Sequence, residues 1–179
     1  MDIIKKGSLK KFGKPLKIFL ADLTYDTVTL ASEAMPLNVG YVAAYCKKIF
    51  GDQVEITLFK YIPDILGMSN YCWGHNVSVE LMKMLRETKP NVLTVMGGPN
   101  FPVDLPSQEK FMKEHPELDF YVPVDGETGF SNIIESALTA NSLDEIRSTT
   151  LSQVIDGCIS LDKDGKIKFS IPTIRIKQL

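Results

Sequence analysis

Residues Asn91 to Asn100, NVLTVMGGPN, decide the fold. The run Val92-Leu93-Thr94-Val95-Met96 is apolar or β-branched throughout, the pattern of a short strand buried on both faces. It leads straight into Gly97-Gly98-Pro99. Two glycines at the C-terminal end of a buried strand let the backbone turn sharply and approach a ligand without a Cβ in the way. In open parallel sheets, ligands bind at that edge. A tight strand-to-loop turn with no ligand is the competing reading of Gly-Gly-Pro taken alone.

Working outward, the flanking segments alternate between strand and helix patterns. Strands are predicted at Leu16–Ala21, Val54–Phe59, Ile65–Ser69 and Asp119–Val122. A helix opened by Pro36 and stopped by Gly51 carries Val39, Val42, Ala43, Cys46, Ile49 and Phe50 on one face. Val77–Thr88 is a second helix, with Val77, Leu81, Met84 and Leu85 as its apolar face. A short third helix spans Ser107–Glu114. The fourth, from Thr128 to about Ala140, faces inward through Phe130, Ile133, Ile134, Ala137 and Leu138. After it, Val154–Leu161 and Lys166–Ile171 flank Asp162-Lys163-Asp164-Gly165, a β-hairpin signal.

Such alternation implies an α/β fold. The expected architecture is flavodoxin-like (Rossmann-like): a doubly wound, five-stranded, mostly parallel sheet with a C-terminal β-hairpin extension. Its order would be 2-1-3-4-5, with the switch point between the first and third strands. Three unusual loops converge there, at residues 22–35, 70–76 and 97–103. The first is long for a strand-to-helix connection, as functional loops are, although an irregular surface loop would read the same way.

One connection breaks the pattern. Only Lys60–Asp64 separates the second predicted strand from the third, whereas parallel neighbours need a crossover of about a dozen residues. Either the two strands form an antiparallel hairpin or a crossover helix is missing. Ile62-Pro63-Asp64 lacks a hairpin turn pair, which favours the second option.

Bulk composition excludes several classes. The 179 residues are 44% hydrophobic and 23% charged with net charge −2, which gives no basic surface for nucleic acid or membrane. No apolar run is long enough to span a bilayer, and the basic N-terminus lacks the apolar core of a secretory signal. A cytoplasmic location is expected. Cys46, Cys72 and Cys158 are too far apart in sequence for a CxxC half-site, and their odd number fits a reducing compartment. No phosphate-loop or dinucleotide glycine motif occurs. His75 and His115 cannot build a metal site alone, and His115 reads as a solvated helix-end residue.

Taken together, MPLNVGYVAAYCKK after a long first loop, then DILGMSN, LTVMGGPN and VPVDGETGF, resemble a known pattern. They are similar, in order and spacing, to the cobalamin-binding N-terminal domain of class B (cobalamin-dependent) radical S-adenosylmethionine enzymes. The resemblance covers residues 16–140, leaving 1–15 as an N-terminal extension. It makes 141–179 a hairpin and linker toward a radical domain, and implies an N-terminal fragment of a longer enzyme, a methyltransferase-type parent, not catalytic alone. The cofactor's nucleotide tail would lie beside Ser69, Gly97, Gly98 and Pro99, with Asp125, Gly126 and Glu127 at the edge. Leu23, Thr24, Tyr25, Asn70, Tyr71 and Trp73, from the two preceding loops, would cover the cofactor's lower face, although the aromatics among them equally suit plain packing.

The resemblance further implies base-off cobalamin without a histidine on cobalt. Trp73 and Lys113 stand where an Asp-x-His-x-x-Gly motif would need its aspartate. S-adenosylmethionine and a 4Fe-4S cluster would belong only to the C-terminal radical domain, because no CxxxCxxC run occurs here. The partners are then cobalamin and that radical domain, with no nucleic acid and no membrane. The alternative is a degenerate flavodoxin-like interaction domain that binds no cofactor.

Overall fold

A computed structural model describes residues 13–21, 37–57 and 62–170 of the protein. Its elements alternate as the hydrophobic pattern requires. They run β1 (Leu16–Ala21), α1 (Leu37–Phe50), β2 (Val54–Thr57), β3 (Ile65–Ser69), α2 (His75–Thr88), β4 (Leu93–Gly97) and α3 (Leu105–Glu114). β5 (Phe120–Val122), α4 (Gly126–Ala137), α5 (Ile146–Leu151), β6 (Ile159–Leu161) and β7 (Ile167–Phe169) follow. One sheet of seven strands, ordered β2-β1-β3-β4-β5-β6-β7, carries all the strands. β1 to β5 are parallel, in the expected doubly wound order. The C-terminal hairpin adds β6 and β7 antiparallel to the β5 edge. Its turn is tied by Asp162, whose Oδ1 accepts from the amides of Asp164 and Lys166, and Gly165 supplies the positive φ of 71°.

Period-2 alternation divides the strand side chains between two cores. Leu16, Ile18, Ile65, Val95, Phe120 and Val122 face α1 and α4. Leu66, Met68, Met96 and Tyr121 face α2 and α3. Helix α4 buries Phe130, Ile133, Ile134 and Ala137, with Leu138 following, as its spacing predicts. Phe130, Ile133, Ile134 and Leu138 each contribute about 1.5–3 kcal/mol through burial. Cys46 on α1 is fully buried in the same cluster.

Two expectations need correcting. Helix α2 buries Ser78, Val79 and Met82, whereas Val77 and Met84 are 59% and 64% exposed. Two of the four expected residues, Leu81 and Leu85, pack partly buried against the core beside Val79 and Met82. Arg86, one turn beyond Met82, extends under the sheet edge to Thr94 and Asp119.

The second correction concerns β2 and β3. They form no hairpin: both lie parallel to β1, one on each side, and among the described residues no crossover helix stands between them. Over the described residues β2 runs from Val54 to Thr57, and the strands are staggered. Thr57 pairs with Phe19, and Ile65 pairs with Ile18, so β3 begins only one residue below the level of Thr57. No return along a full strand is required. Thr57 and Ile65 are eight residues apart in sequence, enough to reach roughly 26 Å. The ends need to be bridged across only two strand spacings, about 10 Å. The linker's middle, 58–61, lies outside the described residues. Beyond it, Asp64 locks the entry to β3: its amide donates to the Lys17 carbonyl (3.0 Å), and its carboxylate accepts from the Lys17 amide (3.0 Å) and pairs with Lys89.

Candidate functional site

At the C-terminal ends of β1, β3, β4 and β5 the sheet opens into a groove of about 290 Å³ between α1 and α4. Leu20, Val42, Val95, Val122 and Phe130 form its apolar walls. Gly67, Gly97 and Gly98 lie along its sheet side, and Ser69, Tyr71 and Glu127 bring polar atoms to it. Gly67 has a specific role. A Cβ there would stand 2.6 Å from Leu20 Cδ2 and 3.1 Å from Phe130 Cε2, so the glycine lets these two walls pack directly onto the strand. Glu127, at the start of α4, faces Tyr45 of α1, whose phenol is pushed above its ordinary pKa by burial, then by Cys46 and Glu127.

Of the residues singled out in the sequence, Ser69, Tyr71, Gly97, Gly98, Gly126 and Glu127 all line this groove. Others stand beside it. Asp125 is the N-cap of α4. Pro99 is exposed in the loop after β4, its carbonyl accepting from the Phe101 amide at 2.9 Å. Trp73 is 47% exposed and stacks on Tyr71, with ring centroids 4.8 Å apart and planes within 5°. Leu23, Thr24 and Tyr25 lie outside the described residues. Gly67, Val42 and Phe130 are groove residues that the sequence reading missed. A glycine inside the buried strand Ile65–Ser69 was the available signal, since such glycines mark a close approach.

Asn70 is fully buried, and its side chain turns away from the groove into a hydrogen-bond network. Its Nδ2 donates to the Asn100 carbonyl (2.6 Å) and to the Tyr121 hydroxyl (3.1 Å). That hydroxyl in turn donates to the Gly98 carbonyl at 2.8 Å. The Oδ1 of Asn70 lies 2.9 Å from His75 Nδ1 and accepts from Asn100 Nδ2 at 3.3 Å. The amide orientation is forced, because a backbone carbonyl can only accept, so His75 carries its proton on Nδ1. Burial raises the Tyr121 pKa well above the ordinary phenol value, with the Asn70 bond opposing.

His115 is not a solvated helix end. It caps the C-terminus of α3 with its Nδ1 3.0 Å from Glu117 Oε1, and its ring packs on Phe111 and His75. Among the described residues, no cluster of three or more His, Cys, Asp or Glu could hold a metal.

Comparison with known proteins bears on this geometry. No family model matches. The cobalamin-dependent radical SAM methyltransferase TokK of Streptomyces tokunonensis is 35% identical over 77 residues, which is 43% of this chain and 11% of that protein. The 2-(S-pantetheinyl)-carbapenam-3-carboxylate methyltransferase of Streptantibioticus cattleyicolor is 35% identical over 72 residues, 40% of this chain and 10% of that protein. The solved structure of the cobalamin-dependent S-adenosylmethionine radical enzyme OxsB with aqua-cobalamin bound superposes with a TM-score of 0.57 at 17% identity. It covers 90% of this chain and 23% of that one. The chain resembles part of the cobalamin-dependent radical SAM enzymes.

That likeness is partial in a definite sense: the chain spans about a tenth of the length of the curated relatives it matches. The apo form of OxsB superposes equally well, with a TM-score of 0.58, so the shared feature is the fold. No helix among the described residues is long and apolar enough to cross a membrane.

Proposed function

We infer that the chain is a cobalamin-binding module of a radical SAM enzyme, and that the groove at the carboxyl ends of β1, β3, β4 and β5 takes the cofactor's nucleotide tail. The observation that carries this reading is the cradle itself. It opens at the carboxyl ends of the parallel strands, where Gly97 and Gly98 present backbone without side chains and Leu20 and Phe130 pack directly over Gly67 as its floor. Its apolar walls suit a flat heterocycle, and Ser69 and Glu127 offer polar atoms to a ribose or amide. Bound cobalamin would supply a cobalt centre able to carry a methyl group. This chain's residues bind and orient it.

In this reading no histidine of the chain ligates cobalt; neither His75 nor His115 lines the groove. S-adenosylmethionine and the 4Fe-4S cluster belong, in this reading, to a radical domain of the same parent, for which a methyltransferase is the proposal. Cys46 and Cys158 are buried away from each other in sequence, and only Cys72 is exposed. The interaction-domain alternative draws on one observation, the outward apolar residues Trp73 before α2 and Val77 and Met84 on it.

Incubation with hydroxocobalamin followed by gel filtration separates the two. Co-elution of the visible chromophore with protein, with a spectrum lacking the signature of a histidine nitrogen on cobalt, is the expected result. Elution of all the cobalamin in the free volume, from folded protein, supports the interaction domain instead.

A further inference from the structure

The groove separates its apolar and polar residues by depth. Leu20, Val95, Val122 and Phe130 line it at 4% exposure or less, whereas Ser69, Tyr71 and Glu127 are half-buried. The polar side chains therefore stand at the rim, and the aliphatic and aromatic ones form the floor.

That floor holds no spare hydrogen-bonding group. Gly67 and Val95 lie in central strands with a ladder partner on each side, so their backbone groups are spent on the sheet. At the carboxyl edge, the Gly97 carbonyl accepts from the Asn70 amide at 2.6 Å. The Gly98 carbonyl accepts from the Tyr121 hydroxyl at 2.8 Å. Tyr121 belongs to the core on the opposite side of the sheet from Leu20, Val95 and Phe130, so the Gly98 carbonyl is drawn away from the groove. Among the described residues, no buried side-chain polar atom left without a partner belongs to a groove residue.

A heterocycle that reaches such a floor gains from apolar contact and loses the water bonds of every polar atom on its inner edge. The carbocyclic ring of dimethylbenzimidazole has only carbon there, and its methyl groups add apolar surface. The pyrimidine ring of adenine carries an exocyclic amine and ring nitrogens, which would be buried without partners.

We propose that the groove selects the base of the nucleotide tail: it takes the dimethylbenzimidazole of cobalamin and rejects adenine in the same position. Leu20, Val95, Val122 and Phe130 are the specificity-determining residues. The proposal rests on the reading that the tail lies in this groove.

Equilibrium dialysis of the chain against hydroxocobalamin, its counterpart with adenine as the lower base, and cobinamide, which lacks the nucleotide, tests it. Hydroxocobalamin should bind tightest, and the adenine counterpart at least roughly tenfold more weakly, the scale on which an apolar pocket discriminates. Equal affinity for the two bases, both tighter than cobinamide, overturns the base selectivity and leaves the tail in the groove. Cobinamide bound as tightly as hydroxocobalamin, or no corrinoid bound by folded protein, overturns the functional reading and this proposal with it. Val95→Thr and Val122→Thr each put a hydroxyl of nearly the same shape on the floor. They should narrow the ratio between the two bases, a readout that a general loss of affinity does not move. A ratio unchanged in both folded variants places the preference elsewhere and overturns the role of the floor.

Discussion

The α-carbon of Gly98 lies against the backbone of Asn70: a Cβ built on Gly98 would stand 2.9 Å from the Asn70 carbonyl oxygen and 3.2 Å from its nitrogen. The φ of Gly98 is +125°, a region that side-chain-bearing residues rarely enter. Both facts act on the joint between the loops after β3 and β4, before any ligand is considered. Gly98→Ala is expected to cost about 1–3 kcal/mol, read as a lower midpoint in urea unfolding. An unchanged midpoint would show that this joint opens freely.

A bulky residue at Gly98 would meet the Asn70 backbone. The sequence places Gly97-Gly98 at the carboxyl edge of the sheet, where the groove opens, because a buried strand ending in two glycines at the switch point is a backbone-level signal. Which way the missing Cβ points is a tertiary fact, and it points at Asn70. The same division recurs elsewhere. The α4 face was legible because Phe130, Ile133, Ile134 and Ala137 are all apolar and all inward. The α2 face was not, because its inward residues include Ser78 and the sheet-reaching Arg86, while Val77 and Met84 face solvent. Helix α5 escaped notice because it is six residues long and contains adjacent β-branched threonines. The stagger of β2 against β3, and the meeting of His75 with His115 from elements 40 residues apart, leave no local trace.

Asp119 anchors the opposite end of the sheet. Its carboxylate is almost wholly buried, accepts from the Thr94 amide at 3.1 Å, and pairs with Arg86 at 3.0 Å and Arg147 at 2.9 Å. Arg147 approaches it through both Nε and Nη2. Removing the acid leaves two partly buried guanidiniums without their anion, so Asp119→Ala should lose about 3–5 kcal/mol. Equilibrium unfolding checks this. A loss below about 1 kcal/mol would mean that the arginines find solvent at no cost.

Tyr121 links Asn70 to Gly98, and its hydroxyl is held neutral by burial. Tyr121→Phe leaves the Gly98 carbonyl and one Asn70 proton unsatisfied, an expected cost of about 1–3 kcal/mol. The alkaline limb of stability carries a second signature. A phenol whose folded pKa is raised contributes fully below its unfolded value near 10, and that contribution is lost as pH rises above it. Stability measured from about pH 8 to about pH 11 should therefore fall less steeply in Tyr121→Phe than in the wild type. Identical slopes would place the alkaline loss elsewhere.

The most direct measurement uses Trp73, the single tryptophan, which stacks on the groove residue Tyr71. Titrating hydroxocobalamin while following Trp73 emission reports occupancy at the rim. Gly126 provides the matched block: a Cβ there meets only Val42 Cγ2 at 3.5 Å, so Gly126→Phe can fold while its ring enters the gap between α4 and α1. Saturable quenching in the wild type, weakened at least roughly tenfold (about 1.4 kcal/mol) in a folded Gly126→Phe protein, is the predicted result. Absent quenching, or the same saturation curve in both proteins, would contradict a cobalamin tail in this groove.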